Sequence, residues 1–257
     1  MLRTIIESIS RNIVLKRRLP DSLGGKTIYV SPGSALSYWM PGFSSSDLKL
    51  LDIAKEVIKS GDVVWDIGAN VGLFSFAALN LVGSAGRVLS VEADSFLVNL
   101  LRRSAGEGLL KNPQIDILPM AVSNYNGTGM FNLAKRGRAS NFLDAVKGST
   151  QSGGVYKKEE VDVVTLDWLL SRYPAPNVVK IDIEGSEYKA FQGASTLLKE
   201  ARPKLICEIH DENADPITSI LQQNGYIIYD AEAVSSERKP LQRAVFNTLA
   251  CPLEKQI

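Results

Sequence analysis

From residue 47 onward the chain switches between two hydrophobic periods. Residues 47–60 carry Leu48, Leu51, Ile53, Ala54 and Val57 at helical spacing, with Ser46 as the expected N-cap and Gly61 as the stop. Residues 63–67 then form a short apolar run of strand length, and the exchange repeats. It predicts strands at 63–67, 87–92, 115–118, 178–183 and 204–209, and helices at 73–82, 95–105, 166–172, 187–199 and 215–224. Two closing strands follow, 226–230 and 244–251. Strands that alternate with helices argue for an α/β fold, a mostly parallel sheet covered on both faces. The rhythm breaks once. Residues 127–134 and 160–165 alternate with period two and read as a β-hairpin insertion around a polar loop, 135–159.

The first 46 residues follow neither pattern. Residues 1–19 are amphipathic, with Leu2, Ile5, Ile6, Ile9, Ile13 and Val14 apolar and Arg3, Arg11, Lys16, Arg17 and Arg18 basic. The expectation is a helix packed on the domain, with attachment to a membrane surface as the alternative. No continuous apolar stretch with a small-residue cleavage site marks it as a signal peptide. Residues 20–46, rich in Pro, Gly and Ser and carrying Tyr29, Tyr38, Trp39 and Phe43, read as an irregular lead-in or lid. The chain thus divides into an extension, 1–46, and one large domain, 47–257.

Composition narrows the class. Of the 257 residues 45% are hydrophobic, enough for a core, and the net charge of +1 gives no bulk attraction to nucleic acid. Cys207 and Cys251 sit in apolar runs without metal-ligand spacing and read as reduced core residues. No run reaches the ~18 apolar residues of a membrane span, and a cytoplasmic protein is the expectation. No feature of the sequence predicts an oligomeric state.

The chemistry begins at Asp66-Ile67-Gly68-Ala69-Asn70-Val71-Gly72, where a strand ends in an acid, turns through a glycine loop and enters a helix. Glycines let backbone and ligand approach closely, and the helix start offers free N–H groups. Asp66 would repel a diphosphate, so a cofactor with a cationic end, such as the ammonium of S-adenosylmethionine, fits better. The spacing is not G-x-G-x-x-G, which argues against a nicotinamide dinucleotide. Glu92 ends the next strand, 20 residues after Gly72, where a carboxylate can take ribose hydroxyls. Asp66, Gly68, Ala69, Asn70, Gly72 and Glu92 are therefore the expected cofactor residues. Ala121, with Val122 and Ser123 beside it, is expected at the adenine.

These segments, with Thr165-Leu166-Asp167, Lys180-Ile181-Asp182-Ile183-Glu184-Gly185-Ser186-Glu187 and Pro203 through His210, resemble the FkbM family of class I S-adenosylmethionine-dependent methyltransferases over about residues 45–250. The resemblance implies a Rossmann-like, seven-stranded, mostly parallel sheet. It also implies methyl transfer to a hydroxyl of a sugar, glycan, polyketide or related small molecule. The segment Glu92-Ala93-Asp94-Ser95 lacks the prolines that members often carry there.

Two strand ends offer groups for that chemistry. Asp182 and Glu184 are two apart, as are Glu208 and His210, so each pair would share a face while its strand continues. Asp182 is expected to face the transferring methyl and counts among the cofactor residues too. His210, the only histidine, suits a general base, with Glu208 orienting its ring. The same groups, Asp182, Glu184 and His210, would serve as ligands if a divalent metal were used, although none is expected. Lys180 reads as the cation of a buried ion pair with Asp182, Glu187 or Glu208. Asp167 reads as a cap, and Ser140 and Asn141 as loop groups within reach of a ligand. The basic loop (Arg136, Arg138, Lys147, Lys157, Lys158) hints at an anionic acceptor. Two other readings stay open: an RNA ribose 2′-O-methyltransferase, which the balanced charge disfavours, and a cofactor-binding relative without activity.

Overall fold

The computed structural model describes residues 10–106, 114–135, 137–144 and 153–255. Residues 1–9 of the helix expected over 1–19 lie outside these residues, and its described part, 10–19, is different. Leu15–Arg18 is a strand (β1) paired antiparallel with Thr27–Val30 (β2). Its apolar residues are too few for a helical face, and the basic run Lys16–Arg18 alternates half-buried and exposed positions instead. The lead-in is likewise built into the body: Leu19, Leu23, Ile28 and Val30 are buried with Leu100 and Leu101. The Tyr29 N–H donates to Ser104 Oγ at 2.9 Å.

The first long helix, α1 (Ser45–Val57), starts earlier than the pattern suggested. Ser44, not Ser46, is the N-cap, because Asp47 completes a reciprocal capping box with it. Then come β3 (Val63–Ile67), α2 (Leu73–Val82), β4 (Arg87–Val91), α3 (Ser95–Gly106) and β5 (Ile115–Leu118), each within a residue of expectation. The insertion comprises β6 (Met120–Val122), β7 (Gly127–Ala134), β8 (Phe142–Leu143) and β9 (Val155–Val164). It is more than a hairpin. β6 runs parallel to β9, and the four strands form a separate sheet in the order β6-β9-β7-β8.

The α/β rhythm resumes with α4 (Leu166–Leu170), β10 (Val178–Ile181), α5 (Glu187–Gln192), β11 (Lys204–Glu208), α6 (Asp211–Gln223), β12 (Tyr226–Asp230) and β13 (Asn247–Pro252). The helix expected over 187–199 breaks at Gly193, where a Cβ would lie 2.7 Å from the Ser123 carbonyl, and resumes as a π-turn at Leu197–Ala201. α6 begins four residues before the expected 215, with Asp211 and Glu212 placing acid in its first turn and Pro216 inside the helix.

The main sheet has seven strands in the order β12-β13-β11-β10-β3-β4-β5, with β13 alone antiparallel to the rest. This is the Rossmann-like, seven-stranded, mostly parallel sheet that the resemblance implied. Alternate strand residues enter opposite layers: Val64, Val88 and Val178 pack under α1, α2 and α3, while Trp65, Leu89 and Val179 pack under α5 and α6. Parallel register sets Lys180 beside Asp66, and Asp66 beside Ser90, in adjacent central strands. The carboxyl ends of β3, β4, β10 and β11 then open into loops on one edge, the usual ligand crevice of open α/β sheets.

Candidate active site

That edge holds two clefts. The first, of ≈ 250 Å³, runs from Glu92 and Ala121 past Gly68 and Asn70 to Asp182 and Glu184. The second, of ≈ 230 Å³, lies between α1, the start of α2 and the ends of β11 and β13. Asn70, Asp182 and Glu208 border both.

The glycine loop is shaped by its neighbours. Gly68 has φ +78°, and a Cβ there would stand 1.9 Å from the Asp182 carbonyl oxygen. Only glycine lets the loop lie against the end of β10. The N–H groups of Gly68 and Ala69 both donate to the Val91 carbonyl, which ties the loop to β4. Gly72, at φ +88°, caps α2 and packs against Leu101 and Phe76, facing the core and not a cleft. Ala69 borders the second cleft, and Asn70 holds a left-handed φ of +52°.

Glu92 sits as expected. It lines the first cleft, and its carboxylate accepts the N–H groups of Asn70 and Asp94, each at 2.8 Å. Burial raises its pKa to about 7, against the pull of those N–H groups. Ala121 and Val122 line the same cleft, whereas Ser123 is buried away from it.

Asp66 is fully buried and borders neither cleft. Its carboxylate accepts Ser75 Oγ at 2.6 Å and stands 3.3 Å from Lys180 Nζ. Lys180, the buried cation anticipated above, also reaches Asp182 at 3.1 Å and the Gly68 carbonyl at 3.3 Å. Burial alone would strip its charge, but Asp182, Asp66 and Glu208 outweigh that and raise its pKa. Of the two aspartates on Lys180, the one that meets the clefts is therefore Asp182, with Asp66 standing behind it through the lysine.

The chemistry-bearing strand ends separate differently from the sequence expectation. β10 stops at Ile181, so the two-residue period no longer relates Asp182 to Glu184. Glu184 enters the first cleft through a left-handed turn, φ +50°. Glu187 supports that turn by accepting the N–H groups of Ile183 and Gly185. Burial, then neighbouring Asp182, raises the pKa of both cleft glutamates, Glu184 to about 8 and Glu208 to about 7. His210 lies past the end of β11 as the N-cap residue of α6. Its ring meets Phe246 edge-on, centroids 5.7 Å apart, and it lines neither of the two clefts. Among the described residues no three His, Cys, Asp or Glu side chains gather closely enough to hold a metal ion, so Asp182, Glu184 and His210 are not assembled as a ligand set.

Sequence reasoning missed a buried clasp. Asp94, 1% exposed, accepts Arg138 Nη1 at 2.6 Å and Asn141 Nδ2 at 2.8 Å. Arg138 also stacks on Phe96, and both Arg138 and Asn141 line the first cleft. The missing prolines at 92–95 were the only hint. Thr165 caps α4, and Asp167 accepts the N–H groups of Thr196 and Leu197, a capping role as expected.

A sequence profile, the methyltransferase FkbM domain, matches residues 66–228. The chain belongs to this family of S-adenosylmethionine-dependent methyltransferases. Over 70 residues it is 37% identical to a Saccharolobus solfataricus protein named "Probable cobalt-precorrin-6B C(15)-methyltransferase (decarboxylating)", covering 27% of this chain and 35% of that one. A methyltransferase FkbM structure from Methylobacillus flagellatus aligns at TM-score 0.48 and 18% identity, over 78% of this chain and 50% of its own. An S-adenosylmethionine-dependent O-methyltransferase from Thermotoga maritima aligns at TM-score 0.44 and 14% identity, over 85% and 69%. The chain thus spans a third to a half of the first two relatives.

The first cleft fits the family's cofactor. Glu92 lines it, and Asn70 Oδ1 is buried without a hydrogen-bond partner. Val91, Leu97, Ala121 and Phe142 give apolar walls, and Asp182, Glu184 and Glu208 make the far end acidic, as a sulfonium and ammonium require.

Proposed function

We propose that this chain transfers a methyl group from S-adenosylmethionine to a hydroxyl oxygen of a sugar, glycan or related small molecule. The observation that carries the reading is the shared edge: Asp182 and Glu208 border both the cofactor-shaped cleft and the second one. The cofactor, when bound, supplies an electrophilic methyl on a positively charged sulfur. Glu92, Asn70 and Ala121 bind its adenosine. Asp182, fixed by Lys180, orients the acceptor hydroxyl, and Asp66 is a positioning residue acting through that lysine. Glu208, with a pKa of about 7, would take the hydroxyl proton as the methyl's bond to sulfur gives way to its bond to oxygen, the sulfur keeping the electron pair.

Calorimetry on folded protein is expected to show one S-adenosylmethionine site, weakened about tenfold or more in Glu92→Ala through the loss of charged hydrogen bonds. No binding, or unchanged binding in that variant, would remove the basis of the reading.

A further inference from the structure

Of the basic-loop cations that hinted at an anionic acceptor, the three that are described are held by neighbours. Arg138 pairs with Asp94, Lys157 with Glu159, and Lys158 with Asp144. The charge around the second cleft points the other way. Its charged lining is four carboxylates, Asp47, Asp182, Glu208 and Glu232, against two lysines, Lys49 and Lys180. Both lysines are already held, Lys49 by Glu232 at 2.6 Å and Lys180 by Asp66 and Asp182. Among the described residues no arginine lines it. Apolar surface comes from Tyr38, Leu50, Ile53, Phe74 and Phe246.

We infer that this second cleft is the acceptor site and that it admits neutral or amine-bearing hydroxyl compounds with an apolar face, while excluding acceptors that carry phosphate or carboxylate. The inference rests on the methyltransferase reading and deepens it. An incoming anion would meet a net negative wall with no free cation to receive it. Bringing it to the edge beside Asp182 would add like-charge repulsion in a partly desolvated place. A polyol can instead lay its C–H face on Phe74 and Phe246 while its hydroxyls meet carboxylate oxygens. An amine on the acceptor would gain from the same carboxylates.

The test places a thiol in the cleft. Leu50→Cys sits on its α1 wall and is made in a Cys207→Ala background, because buried Cys207 lines the same cleft. The thiol is treated with cationic and with anionic methanethiosulfonate reagents of matched size, and the rate ratio is compared with that of a small free thiol. The cationic reagent is expected to be favoured about tenfold or more, as clefts of one sign concentrate counter-ions. An equal or reversed ratio overturns the charge argument. Calorimetry then separates the two clefts. Modified Leu50→Cys should still bind S-adenosylmethionine like the unmodified variant, and loss of binding only on modification would assign the cleft to the cofactor and overturn the inference. Failure of the unmodified wild-type protein to bind would instead overturn the methyltransferase reading itself.

Discussion

Glu208 and His210 stand two residues apart, yet β11 ends between them, and that ending gives the two different surroundings. Had the strand continued, both would share a face. Instead Glu208 keeps its place on the cleft edge, and His210 turns to Phe246. Glu208→Gln is therefore expected to lower kcat by ~10²–10⁴, the usual contribution of a general base. His210→Ala should hold kcat within a few-fold. Wild-type turnover should rise with pH through about 7, as Glu208 loses its proton, and the rise should vanish in the Gln variant. A flat profile in wild type, or a collapse in His210→Ala, would return the proton to the histidine. Gly68 gives a second prediction at this scale. A methyl group 1.9 Å from the Asp182 carbonyl cannot be accommodated without parting the loop from β10. Gly68→Ala should cost more than tenfold in cofactor affinity, read by calorimetry.

Element by element, the parts of the chain with strong periodicity were the legible ones. β3, α2, β4 and α3 follow the pattern almost to the residue, because an apolar strand and an amphipathic helix each leave their own period. The glycine loop and Glu92 were legible in their placement, because the strands before them end where the apolar runs do. Asp66 was legible as an important acid but not in its role. Nothing in its own segment shows that register sets Lys180 opposite it. The clasp of Asp94 with Arg138 and Asn141 joins residues more than forty positions apart, beyond any local period. It fixes the insertion to the rim of the cofactor cleft. Asp94→Ala would leave the Arg138 guanidinium buried without its counter-charge, a loss of about 3–5 kcal/mol by comparison with other broken buried pairs. Urea unfolding should show that loss, and cofactor affinity should fall with it. An Asp94→Ala protein as stable as wild type would mean that the insertion is held by its sheet contacts alone.

Across the whole molecule the acids of the edge set a pH dependence. Glu92, Glu184 and Glu208 have folded pKa values of about 7, 8 and 7, all above their ordinary value of 4.5. The folded state therefore binds protons more tightly than the unfolded chain between about 4.5 and 8. Stability from these groups is full below that window and is lost as pH rises through it. Thermal midpoints should fall from pH 5 to pH 8 in the free protein. A cationic cofactor favours the ionised carboxylates, so binding near pH 7 should release protons. Calorimetry in buffers of different ionisation enthalpy reads this directly, and proton uptake would contradict it. The central claim, methyl transfer from S-adenosylmethionine to a hydroxyl, is tested most directly with tritiated-methyl cofactor. Wild-type protein and Glu208→Gln are incubated with a small-molecule extract and the label is followed. Wild type should place the label in an alkali-stable methyl ether and Glu208→Gln should place almost none. Label recovered in a base-labile ester or on nitrogen, or no transfer by a protein that binds the cofactor, would contradict the account.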